Sequence, residues 1–137
     1  MISVMVIDDE KVIADTLSAI LRSCGYEATA FYDGQSALDA CAIRTPDMVI
    51  SDVSMPGLNG VEMAIQLENS YPSCKILLFS GHAATADVLE SAKRRGYSFE
   101  LLTKPVHPRD LLAAITRQIS APKCIEAQPS GEETRAA

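Results

Sequence analysis

What most constrains the fold is an alternation that repeats five times along the chain: a short, almost continuous apolar run, then a longer stretch with apolar residues at helical spacing. The runs fall at residues 2–7, 26–31, 47–51, 75–79 and 99–102. A strand that is apolar on both faces has to be covered on both faces, which is the situation of strands in parallel sheets. Between the runs, residues 12–24, 36–43, 61–69, 84–95 and 108–119 carry the period of a helix. The first of these is expected to turn Val12, Ile13, Leu17, Ile20, Leu21 and Cys24 inward and to stop at Gly25. In the last, Pro108 suits the first turn, with Leu111, Leu112, Ile115 and Ile119 on one face. Strand and helix in strict alternation call for right-handed crossovers, hence an α/β fold with a parallel sheet and helices on both sides. At 137 residues and 47% apolar content the chain can bury one such core.

The second constraint is how the runs end. The first meets Asp8-Asp9, the third Asp52, the fourth Ser80-Gly81 and the fifth Thr103-Lys104-Pro105. In an open parallel sheet, ligands bind in the crevice outside the carboxyl ends of the strands. One aspartate or serine after a strand is usually a turn former, but here carboxylates, a hydroxyl and an ammonium converge from four strand ends. Asp8, Asp9 and Asp52 would repel one another and raise their pKa values unless a cation sat among them. Mg²⁺ meets that need, because it takes oxygen ligands and keeps several waters. A metal-bound carboxylate beside a fixed ammonium is suited to attack phosphorus, so Asp52 is the expected nucleophile and phosphoryl carrier.

Asp8-Asp9-Glu10, Asp52 with Met55-Pro56 and Gly60, Ser80, and Lys104-Pro105 resemble, in identity, order and spacing, the receiver domain of two-component response regulators. The resemblance covers residues 1–120. It implies a doubly wound, flavodoxin-like (βα)5 fold with strand order 2-1-3-4-5. It also implies direct Mg²⁺ ligation by Asp9 and Asp52, ligation by Asp8 through water, and a backbone carbonyl from Ser54. Lys104, aimed by a cis peptide bond to Pro105, would pair with the phosphoryl group, and Ser80 would move toward it as the switch. The implied donor is a histidine kinase or phosphotransfer protein, and the output goes to a downstream protein partner. Receivers commonly carry Tyr or Phe three residues before the lysine. Here that place holds Leu101, expected to be buried and still, with Phe99 or Tyr97 as candidate substitutes. His82 would lie over the mouth of the site.

Two rival readings are a degenerate receiver that only binds, which the intact acidic cluster disfavours, and a haloacid-dehalogenase-like phosphatase. The latter expects an Asp-x-Asp motif at the first strand and a covering cap, whereas Asp8 and Asp9 are adjacent. A net charge of −6 argues against a nucleic-acid surface; Lys93-Arg94-Arg95 is read as complementing a helix dipole. No apolar run approaches the ~20 residues of a membrane span, and the start is unlike a signal peptide, so a cytoplasmic protein without a membrane partner is expected. Cys24, Cys41, Cys74 and Cys124 show no metal-ligand spacing and read as reduced, mostly buried thiols. Residues 121–137 are polar and without period, which reads as a disordered tail with no output domain beyond it.

Overall fold

The computed structural model describes residues 1–81 and 85–119. The expectations for His82, for the first residue of the fourth helix, for Cys124 and for the tail lie outside the described residues. Ten elements alternate: β1 (Ser3–Ile7), α1 (Lys11–Ser23), β2 (Glu27–Phe31), α2 (Gly34–Ile43), β3 (Met48–Asp52), α3 (Gly60–Ser70), β4 (Lys75–Ser80), α4 (Thr85–Arg94), β5 (Glu100–Thr103) and α5 (Pro108–Gln118). The strands form one parallel sheet of order β2-β1-β3-β4-β5. This is the doubly wound α/β fold that the alternation requires.

Successive residues of a strand point to opposite faces, and so divide the core in two. Val4 and Val6 of β1 pack with Leu17 and Leu21 of α1 and with Leu111 and Ile115 of α5. Met5 and Ile7 pack on the other side with Ala37 and Cys41 of α2, Val61 and Ile65 of α3 and Ala92 of α4. The central β3 is buried at every residue, which is why its sequence is apolar up to Ser51-Asp52.

Caps explain the helix boundaries. The α2 helix starts two residues before its apolar period, because the Asp33 carboxylate accepts the Ser36 N–H at 2.7 Å. Asn59 does the same for Glu62 at 2.9 Å and opens α3. Lys93 and Arg94 lie in the last turn of α4, where cations complement the dipole.

Two expected burials are not found. Val12 is 77% exposed; the inward stripe of α1 is Ala14, Leu17, Ser18 and Leu21, and Val12 lies two residues, roughly 200°, away from Ala14 on the helix. Leu101 is 38% exposed, because β5 is an edge strand and α4 brings Val88, Leu89 and Ala92 over the neighbouring core without enclosing it. Cys41 and Cys74 are buried free thiols and Cys24 is half-buried. Burial pushes the Cys74 thiol up to about 12, which keeps it protonated and unreactive.

Candidate functional site

The chain leaves β1 for β2 on one side and enters β3 on the other, so the crevice between the carboxyl ends of β1 and β3 is the switch point of the sheet. Asp8 follows β1 and Asp52 ends β3, and both are buried. Asp9, next along, is exposed at the rim. Asp8, Asp9 and Asp52 can each offer a carboxylate oxygen, with these atoms all within 4.8 Å of one another.

Lys104 arrives from the end of β5, and its peptide bond to Pro105 is cis. Its backbone N–H donates to the Ser80 carbonyl at 3.0 Å, which ties the lysine to the end of β4. The ammonium lies 3.1 Å from Asp8 Oδ2, 3.2 Å from Asp52 Oδ2 and 3.4 Å from Glu10 Oε1. It also stands 5.3 Å from the centre of the Phe79 ring, a cation–π distance. Among the described residues Asp52 Oδ1 is buried without a hydrogen bond, and Asp8 Oδ2 is buried with only the ion pair to Lys104. Ser80 is buried at the end of β4, level with Thr103 of β5. Ser54 is exposed in the loop between Asp52 and α3.

Burial raises the Asp8 carboxyl above its usual range; the Glu10 amide and Lys104 oppose this, and the charge of Asp52 adds to it. Repulsion from Asp52 thus acts on Asp8 in the expected direction, but desolvation is the larger cause. Lys104 is pulled down by burial and pushed up by its bond to Asp8 and the charges of Asp52 and Asp8, with a net rise that keeps it an ammonium.

The site loop is held by a close approach that only glycine permits. Gly60 opens α3 with its N–H donating to Val53 O at 2.9 Å, and a Cβ there would stand 2.2 Å from the carbonyl oxygen of Asp52. This places the first turn of α3 directly on the backbone of the central aspartate.

The response regulator receiver domain family matches residues 4–116. This chain belongs to that family. Receivers serve as phosphoacceptors in two-component signalling, generally bind Mg²⁺ at the acidic pocket, and interact with histidine kinases or phosphotransfer proteins. The DNA-binding transcriptional regulator NtrC of Escherichia coli (strain K12) is 32% identical over 117 residues, which are 85% of this chain and 24% of that protein. The chain thus spans about a quarter of the length of the curated relatives it matches. Among solved structures, a receiver domain protein from Clostridium thermocellum matches with a TM-score of 0.76 and 28% identity, over 86% of this chain and 94% of that one. The chemotaxis protein CheY4 of Vibrio cholerae matches with a TM-score of 0.75 and 28% identity, over 87% and 99%.

The receiver brings together Asp8, Asp9, Asp52, Lys104 and Ser80, the residues singled out at the strand ends. Two features were not foreseen. Glu10, part of the acidic motif after β1 but given no role by it, reaches Lys104. The exposed Val12 lines a groove of about 300 Å³ with Ile13, Thr16 and Leu17 of α1 and Pro105 and Val106 beyond the lysine; with Val12 expected to face inward, no signal marked it. Tyr97 and Phe99 are the aromatics nearest in sequence to Leu101. Their rings stack at 6.4 Å, and the Tyr97 hydroxyl donates to Asn69 Oδ1 on α3 at 3.0 Å. Beside them Arg95 forms a two-pronged pair with Glu62 of α3, at 3.2 and 3.4 Å.

Proposed function

We propose that this receiver accepts a phosphoryl group on Asp52 from a phosphohistidine of a histidine kinase or phosphotransfer protein, and signals through contacts with a downstream protein. The observation that carries the reading is the state of the Asp52 carboxylate. One oxygen is held by Lys104, while the other is buried with no donor among the described residues. A buried acceptor left open is costly, and a hard cation or an electrophile removes that cost.

The donor set fits Mg²⁺: three clustered carboxylates and an exposed loop beside them. Asp9 and Asp52 would hold the ion directly, Asp8 through water, and Ser54 by its carbonyl. When bound, the ion supplies positive charge that offsets the carboxylates and the phosphoryl oxygens. An Asp52 oxygen attacks phosphorus, the bond to the donor imidazole breaks, and its electron pair returns to that nitrogen. Lys104 meets charge on the phosphoryl oxygens, and Ser80, at the end of the adjacent strand, donates its hydroxyl to one of them.

A donor histidine must come within bonding distance of Asp52, so the donor has to cover the surface around the mouth. The groove beside Val12 and Pro105 borders that mouth and offers apolar surface for the donor to bury. Incubation with acetyl phosphate and Mg²⁺, followed by intact mass, tests the reading. The wild type should gain one phosphoryl group, and Asp52→Asn or omission of the metal should abolish the gain. Phosphorylation of the Asp52→Asn protein at another aspartate would show the assignment to be wrong.

A further inference from the structure

The Lys104 ammonium is surrounded by three carboxylates, those of Asp8, Asp52 and Glu10, at 3.1, 3.2 and 3.4 Å. It donates hydrogen bonds to Asp52 Oδ2 and Glu10 Oε1, while its contact with Asp8 is an ion pair without one, so an arriving phosphoryl oxygen competes with these carboxylates for the ammonium. The three are not equivalent. The Asp8 side chain and, until its oxygen bonds to phosphorus, the Asp52 side chain are charges that are 0% and 6% exposed, and a buried charge stripped of its partner is strongly destabilising. The Glu10 side chain is 65% exposed, and water replaces a partner there at little cost. Glu10 is the partner that can be released.

The place of Glu10 in the fold adds an independent observation. It is the N-cap residue of α1, where Ser, Thr, Asp and Asn are preferred because a short side chain can accept from the first amides of the helix. Glu10 makes no such bond. Its own N–H donates to Asp8 Oδ1 at 2.9 Å, which fixes it to the acidic cluster, and its side chain crosses to the lysine beyond β5. The residue forgoes capping its helix and instead holds a group from the far side of the crevice.

We propose that Glu10 is a positioning residue that holds Lys104 at rest and is displaced when a phosphoryl group enters, so that it restrains phosphorylation of the site. The proposal rests on the phosphoacceptor reading of Asp52. The ion pair that must open and the repulsion between the Glu10 carboxylate and an anionic donor act in the same direction.

The test uses the intact chain with acetyl phosphate at saturating Mg²⁺, which removes any effect on metal affinity. Glu10→Gln should phosphorylate about fivefold faster, the effect of one unit charge at contact distance in a water-like medium. Glu10→Asp, which keeps the charge but falls short of Lys104, should also be faster, by a smaller factor. Glu90→Gln, a charge removed from the exposed surface of α4, should match the wild type. In the metal-free protein, the side-chain nitrogen resonance of Lys104 should move in Glu10→Gln and stay in Glu90→Gln. An unchanged or slower rate in Glu10→Gln, equal acceleration in Glu90→Gln, or an unmoved lysine resonance would overturn the proposal while leaving the acceptor assignment intact. A wild type that takes up no phosphoryl group would sink the acceptor reading and this proposal with it.

Discussion

Replacing Gly60 by alanine adds one methyl group where the structure has no room for it. The new Cβ would lie 2.2 Å from the Asp52 carbonyl oxygen and 3.0 Å from both the Asp52 carbonyl carbon and Val53 Cα. All three are backbone atoms of the central strand and the loop after it, so no side chain can turn aside to relieve the contact. Overpacking of this kind costs up to about 3 kcal/mol. Loss of glycine entropy in the unfolded chain returns about 0.4–1 kcal/mol, and the net destabilisation is then about 2 kcal/mol. For a domain of this size that corresponds to a fall in Tm of about 8 °C. Gly57→Ala and Gly81→Ala serve as comparisons. Gly57 has positive φ but nothing within 4 Å of its Cβ position, and Gly81 would meet only Lys104 side-chain carbons, the nearest at 3.4 Å. Gly57→Ala should therefore lose about 1 kcal/mol from backbone strain alone, and Gly81→Ala should change little. Urea unfolding of the three variants gives the order directly. A Gly60→Ala protein as stable as Gly81→Ala would show that α3 does not rest on the Asp52 backbone as described.

Val12→Ser should slow phosphotransfer from a phosphorylated donor protein about tenfold or more, the worth of one buried valine. Acetyl phosphate should still react at the wild-type rate, and stability should stay within about 0.5 kcal/mol, because Val12 is exposed in the free receiver; equal slowing with both donors would remove the groove from the docking surface. Burial holds the Asp8 carboxyl above its ordinary value in the folded protein. The folded state then binds more protons between the unfolded and folded pKa values, so stability falls as pH rises through that window and stays lowered above it. Asp8→Asn should accordingly be more stable than the wild type at pH 7 in metal-free buffer, with the gap closing as pH falls toward the ordinary carboxylate range. Thermal unfolding across pH measures this, and a gap that widens on acidification would contradict it.

The fold was legible because its information is periodic. Short apolar runs at 48–50 and 76–79, set between helical periods, fit a strand covered on both faces, and the structure buries β3 completely. The site was legible because polar residues that end apolar strands have only one place to go. Asp8, Asp52, Ser80 and Lys104 meet at the carboxyl end of the sheet without any one of them carrying the argument alone. What the pattern could not show is which side of an apolar residue is covered. Val12 counts toward a helical period as well as Leu17 does, yet its angular offset leaves it in water, and Leu101 sits in an apolar run whose edge position leaves it partly bare. The contact of Glu10 with Lys104 was hidden for a related reason: a long side chain at a helix start can reach partners far away in sequence, and local spacing says nothing about that.

The bonds from Tyr97 to Asn69 and from Arg95 to Glu62 moor one end of α4 to its neighbour, just where the chain turns through Gly96 toward β5. A ten-residue helix is roughly 15 Å long, and a rod fixed at its tail moves in proportion to the distance from that anchor. A tilt of about 10° would leave residues 92–97 almost still and carry Thr85 through roughly 2.6 Å, given that length. Were α4 to rotate about that tail, a small turn would become a larger stroke at the end that follows the strand of Ser80. A protein that docks near Thr85 would read that full stroke, whereas one docked near Arg95 would read almost none.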